Sequence, residues 1–157
     1  MVKFKKTLQG VVIPMTYKSF NAEDTKAIAK KIATTAKPGD VYCLNGDLGA
    51  GKTHFAKGFA EGLGIEQTIL SPTFTILNIY KGRLPLYHFD VFRLKGAEEM
   101  YDIGFEDYFF DDGVCLIEWS DIVEEMLPKN SINVNITKSD ENDDLRIIEV
   151  VYENSRN

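Results

Sequence analysis

Short apolar runs separated by Gly, Pro and Asx punctuation dominate the chain, and they alternate between helical and strand-like spacing. Asn21, followed by Glu23 and Asp24, has the chemistry of a helix N-cap with acids in the first turn. Ile28, Ile32 and Ala36, with Ala29 and Ala33, make one apolar face up to Lys37-Pro38, which predicts a helix over 22–36. Behind the Pro38-Gly39 breaker, Asp40-Val41-Tyr42-Cys43-Leu44-Asn45 reads as a short strand, and 54–63 reads as a second helix closed by Gly62 and Gly64.

The second half is strand-rich. Thr alternates with aromatic and aliphatic residues over 74–80, Lys81-Gly82-Arg83 makes a turn, and 84–92 returns, which predicts an antiparallel hairpin with Pro85 near a strand start or edge. Residues 98–102 and 106–110 read as short acidic helices whose Tyr101, Phe105, Tyr108, Phe109 and Phe110 supply core. A fully apolar strand over 113–118 ends in Glu118, a helix over 119–127 stops at Pro128, and 132–136 pairs with 145–151 around a solvated polar turn, 138–144. Near the start, Gly10-Val11-Val12-Ile13 reads as an edge or added strand, because Pro14 would break a central ladder. The expected class is α/β, a mostly parallel central sheet with added antiparallel hairpins and flanking helices, in one domain over 1–157.

Composition narrows the classes. With 44% hydrophobic and 27% charged residues in 157, the chain has the make-up of a globular domain. No apolar run approaches the roughly 18 residues of a membrane span. Lys3, Lys5 and Lys6 precede no apolar stretch long enough for a signal peptide, so a cytoplasmic protein without membrane contact is expected. A net charge of −6 argues against a broad electrostatic grip on nucleic acid. Cys43 and Cys115 lie within apolar runs and read as buried free thiols.

The chemistry concentrates in Gly46-Asp47-Leu48-Gly49-Ala50-Gly51-Lys52-Thr53, which fits G-x-x-x-x-G-K-[ST] between a strand and a helix. At average composition the four fixed positions match by chance in roughly 0.5% of chains this long, so a meaningless Gly-rich turn is the poorer account. Gly46, Gly49 and Gly51 can adopt positive φ and admit an anion close to the main chain. Lys52 can reach β- and γ-phosphates, the Thr53 hydroxyl can ligate Mg²⁺, and the helix dipole adds to the same spot.

Such a loop needs an acid on the metal side. Glu118 ends the better buried-strand pattern, and Asp90, ending Leu86-Tyr87-His88-Phe89-Asp90, is the other candidate. His88 and Asp90 share a strand face, but the pair lacks further metal ligands, so His88 reads as a hydrogen-bonded sheet histidine. Ser71-Pro72-Thr73 falls where a γ-phosphate-sensing loop would, and the 19–21 segment could touch a base, although packing alone is the better explanation. Thr137-Lys138-Ser139-Asp140 imitates a guanine-reading loop, yet no D-x-x-G follows either acid, which favours adenine.

Together with the phosphate loop, Ser71-Pro72-Thr73-Phe74-Thr75, Tyr87-His88-Phe89-Asp90 with Arg93, Asp112-Gly113-Val114, Leu116-Ile117-Glu118-Trp119 and Leu127-Pro128 resemble the TsaE (YjeE) family over about 21–128. The resemblance implies a P-loop NTPase fold that binds ATP and Mg²⁺ and hydrolyses ATP slowly unless joined by TsaB-like and TsaD-like partners in threonylcarbamoyl modification of tRNA adenosine. Contact with tRNA would then be indirect, through the complex. It also implies a phosphate grip by Lys52, service to the metal by Thr53 and Glu118, help from Asp90 to metal or water, and nucleotide contacts along 46–54. Trp119 becomes a site-adjacent residue without an assigned task. His54 departs from the family's usual Thr, which leaves backbone donation intact but alters the fit beside the α-phosphate. Alternatives from other classes are a GTPase-like switch and a small-molecule P-loop kinase; the latter would need an Arg-rich lid, and the chain has only Arg83, Arg93, Arg146 and Arg156.

Overall fold

The computed structural model describes residues 5–7, 10–47 and 49–153. Their strands are β1 (Lys5–Thr7), β2 (Gly10–Ser19), β3 (Val41–Gly46), β4 (Leu77–Tyr80), β5 (Leu86–Asp90), β6 (Val114–Glu118), β7 (Ile132–Lys138) and β8 (Arg146–Glu153). The helices are α1 (Ala22–Ala33), α2 (Lys52–Gly62), α3 (Glu99–Ile103) and α4 (Glu106–Phe109), followed by a 3-10 segment, Ser120–Met126.

Among the described residues the strands form one sheet in the order β1-β2-β8-β7-β3-β6-β5-β4. The centre, β7-β3-β6-β5, is parallel, and antiparallel strands extend it on both sides. This is the expected mostly parallel core with added hairpins. The parallel centre is covered on both faces, as its near-continuous apolar strands require. One face carries Tyr42, Leu44, Leu86, Leu116, Val134 and Ile136 beneath α1 and α2. The other carries Cys43, Tyr87, Phe89, Cys115 and Ile117 beneath α3, α4 and the 3-10 segment.

Local chemistry explains the boundaries. Asn21 Oδ1 accepts from Asp24 N at 2.8 Å and Asp24 Oδ2 accepts from Phe20 N at 2.9 Å, so two donors at the α1 start are satisfied reciprocally. The helix stops at Ala33 rather than 36, because the Thr34 and Thr35 hydroxyls take the carbonyls of Lys31 and Ile32. In α2, a Cβ on Gly58 would lie 2.2 Å from Lys26 O and one on Gly62 2.4 Å from Lys30 O, so these glycines let the two helix backbones touch.

Further expectations need correction. Tyr101 and Phe110, expected in the core with the other aromatics of 101–110, are exposed. The strand expected over 74–80 begins only at Leu77, because 72–76 closes a turn: Ile76 N donates to Pro72 O at 2.7 Å, with Ile76 at φ 68°. The helix expected over 119–127 is a 3-10 segment kinked at Val123. The added strand at 10–13 runs on through Pro14 to Ser19 and lies between β1 and β8. Since β1 pairs only with 10–12, β2 has a neighbour on one side alone at Pro14, the setting in which a missing N–H is tolerated.

None of the described helices is long and apolar enough to cross a membrane. Cys43 and Cys115 are buried free thiols; burial pushes the Cys43 thiol up to about 11 and raises that of Cys115 as well.

Candidate functional site

β3 emerges from the sheet at Gly46 and the chain turns back into α2 at Lys52, so the loop stands at the C-terminal end of the parallel strands. Two of its glycines need their freedom, Gly49 with φ 79° and Gly51 with φ 108° as the α2 N-cap. Gly46 does not adopt positive φ. It is small for a different reason, since a Cβ there would meet Ile136 O at 2.9 Å. Asp47 O accepts from Ala50 N at 3.0 Å and tightens the turn, while Leu48 lies outside the described residues.

A cavity of about 420 Å³ opens beside this loop, lined by Gly49, Gly51, Lys52, Thr53 and His54 on one side and by Asp90, Glu118 and Trp119 on the other. Ser71, Thr73 and Phe92 complete its rim. The parallel pairing of β5 with β6 sets Asp90 directly opposite Glu118, so two acids from distant sequence positions reach the loop together. Both are buried.

Each acid is held. Asp90 accepts from Phe92 N at 3.0 Å and from the Thr73 hydroxyl at 3.3 Å, and Thr73 is within 2.7 Å of the Ser71 hydroxyl. Glu118 Oε2 lies 2.7 Å from His88 Nε2, the sheet hydrogen bond expected of that histidine. The two non-glycine residues with positive φ among those described, Ile76 and Trp119, both adjoin this acid pair: Asp90 N donates to Ile76 O, and Trp119 directly follows Glu118. Left-handed backbone in bulky residues is costly and clusters where side chains must be aimed.

Lys52 is buried, with its Nζ 3.8 Å from the centroid of the Trp119 ring, which also rests against Phe92. Burial lowers the Lys52 ammonium from its ordinary range, against the raising pull of Glu118, Asp90, Asp47 and Asp121. The cation thus lies in a partly desolvated seat against an indole face, within the field of four carboxylates.

Gly49, Gly51, Lys52, Thr53, His54, Asp90 and Glu118 come together. Gly46 and Asp47 instead line a neighbouring cavity of about 290 Å³ with Asn45, Lys52, Trp119 and Asp121. Ala50 is buried and borders a third, of about 280 Å³, formed by Phe20, Asn21, Ala22 and Thr25 against Gly49, Gly51, His54, Asp144 and Arg146. In the 19–21 segment, Ser19 is fully buried and bonded to Thr25, whereas Phe20 and Asn21 face this cavity.

Sequence reasoning missed the reach of the last hairpin. Its 138–144 turn is mostly exposed, as expected, but a Cβ on Gly49 would stand 3.0 Å from Lys138 Nζ, and Arg146 Nη2 donates to Gly49 O at 3.4 Å. Only the β3–β7 pairing reveals this, because it brings a strand more than 80 residues away alongside the loop strand. Among the described residues no group of three or more His, Cys, Asp or Glu side chains could hold a metal unaided.

The family model described as "Threonylcarbamoyl adenosine biosynthesis protein TsaE" matches residues 19–148. The tRNA threonylcarbamoyladenosine biosynthesis protein TsaE of Bacillus subtilis (strain 168) is 52% identical over 126 residues, covering 80% of this chain and 78% of that one. Its counterpart in Treponema pallidum (strain Nichols) is 44% identical over 118 residues, covering 75% and 87%. The crystal structure of B. subtilis YdiB superposes with a TM-score of 0.79 at 44% identity, covering 99% of this chain and 90% of that one.

Proposed function

The chain belongs to the TsaE family of tRNA threonylcarbamoyladenosine biosynthesis and has its P-loop NTPase fold, and from that premise we propose that it is a Mg²⁺-dependent ATPase serving that pathway. The carrying observation is the single cavity that combines the Gly49–Thr53 amide turn and Lys52 with the paired acids Asp90 and Glu118. An anion chain and a divalent cation are the complementary ligand for such a lining.

The donor set fits Mg²⁺. Thr53, Asp90 and Glu118 offer hard oxygens and too few of them for a cage, which suits an ion that arrives partly ligated by phosphates. Thr53 and Glu118 would hold it, with Asp90 assisting the metal or the attacking water; bound there, Mg²⁺ neutralises charge on the phosphate oxygens. In this reading Lys52 exchanges the indole face for the β- and γ-phosphates, and the amides of 49–54 take the remaining phosphate oxygens. Asp90 is steadied for either task by Thr73 and Phe92 N.

The proposal extends to one domain over 1–157, working in the cytoplasm with TsaB-like and TsaD-like proteins, with turnover slow until they join and tRNA reached through them. A GTPase-like switch is the second reading, favoured by Lys138 beside Gly49 and by Asp144 in the third cavity, opposite Phe20 and Asn21. Competition of labelled ADP against GDP and ATP turnover with and without the partners test both readings. ADP binding plus partner-stimulated hydrolysis is the expected result, whereas tight GDP binding with indifference to ADP would reverse it.

A further inference from the structure

His88 occupies an unusual layer of the sheet. Along β5, Leu86, His88 and Asp90 point toward the α1–α2 face, and their partners on β6 are Val114, Leu116 and Glu118. The register therefore places His88 between Leu116 of β6 and Asn78 of β4, one step below the acid pair, where it is only 1% exposed. Its ring reaches diagonally to Glu118 rather than to either register partner.

The other ring nitrogen, Nδ1, is buried without a protein partner. A leucine would fill the space beside Leu116 without desolvating two nitrogens, so packing alone does not account for an imidazole at 1% exposure. In the form of the ring that makes this hydrogen bond to a carboxylate oxygen, Nε2 carries the proton and donates to Oε2. One oxygen of the carboxylate is then committed, and Oε1 is the oxygen left to the cavity.

We propose that His88 is a positioning residue, holding Glu118 by Oε2 so that Oε1 is presented to the metal-nucleotide cavity in one fixed orientation. This rests on the nucleotide-and-metal reading above and deepens it by naming the group behind its acid. Partners that orient a ligating carboxylate usually matter by about 10–100-fold when removed.

The test uses the full chain with ADP and Mn²⁺ as probes, free Mn²⁺ being counted by electron paramagnetic resonance. His88→Leu, which fits beside Leu116 but cannot donate, should weaken Mn²⁺ retention on the ADP-bound protein about 10–100-fold. Its ADP affinity in EDTA should stay within about twofold and its melting temperature should not fall, since no catalytic cation or amide is touched. His88→Gln, with an N–H at similar reach, should restore Mn²⁺ retention to within about threefold. In a Glu118→Ala background His88→Leu should add nothing.

Wild-type Mn²⁺ retention by His88→Leu, or an undiminished effect in the Glu118→Ala background, would overturn the proposal. Should His88→Leu fail to fold, His88→Asn replaces it, because its shorter amide keeps polarity yet falls short of Oε2. A wild-type chain that binds no ADP even in EDTA would overturn the nucleotide reading and this one with it, whereas intact wild-type binding with unaffected variants overturns this one alone.

Discussion

One face of the sheet is closed by helices of 12 and 11 residues whose backbones touch at Gly58 and Gly62; the other is closed by helices of five and four residues and a kinked 3-10 segment. The first face is filled largely by aliphatics and small residues around Phe55 and Phe59, and it launches the loop that ends in Lys52. The second relies on an aromatic cluster in which Phe89, Phe105, Tyr108 and Phe109 meet edge to face. Regular helix fixes amides in space, while short segments with large rings leave the chain free to bend. The bends, at Ile76 and Trp119, lie beside the acids. The cationic half of the site is thus set by rigid secondary structure and the acidic half by strand ends trimmed with loops.

That contrast can be broken at several points. The largest effect is expected at Lys52→Ala, which should cut partner-stimulated ATP turnover by at least about a hundredfold; full turnover by the variant would remove the loop from the chemistry. On the aromatic face, Phe109→Ala should cost about 3–5 kcal/mol in urea denaturation because Phe109 is 1% exposed, while the folded fraction keeps its ADP affinity. A matching loss of ADP affinity would mean that this face shapes the loop after all.

Glu118→Ala should weaken Mg²⁺-dependent hydrolysis about 10–100-fold and metal-free ADP binding far less; equal losses in both assays would indicate misfolding. On the helical face, Gly58→Ala should cost roughly 1–3 kcal/mol, measured by thermal melting, since its Cβ would press on Lys26 backbone. The smallest effect concerns Cys43. Its raised folded-state value means that stability is complete below the ordinary thiol range and falls as the unfolded thiol ionises first. Between pH 9 and 10, Cys43→Ala should therefore lose about 1 kcal/mol less than wild type in denaturant titrations.

The phosphate loop, the acid at the end of β6 and the α1 cap were legible in the sequence because each depends on neighbours within a few residues. Asp90 was legible as a strand-end acid, but its alignment with Glu118 is a property of register between β5 and β6. Gly46 was assigned positive φ on motif grounds, whereas the space beneath Ile136 decides it, and that contact spans 90 residues. The turn at 72–76 hid inside a strand-like alternation, since Thr and Phe side chains suit either backbone. Lys138 reads as part of a solvated turn and Arg146 as an ordinary strand residue, because nothing local ties either to Gly49.

The glycine contact between α1 and α2 has a further mechanical meaning. Phe20 to Thr25 leads into one helix and the Gly49–His54 loop into the other, so the two sides of the cavity between them belong to a single rigid block. The width of that cavity is therefore a product of how α1 packs on α2, settled when the chain folds.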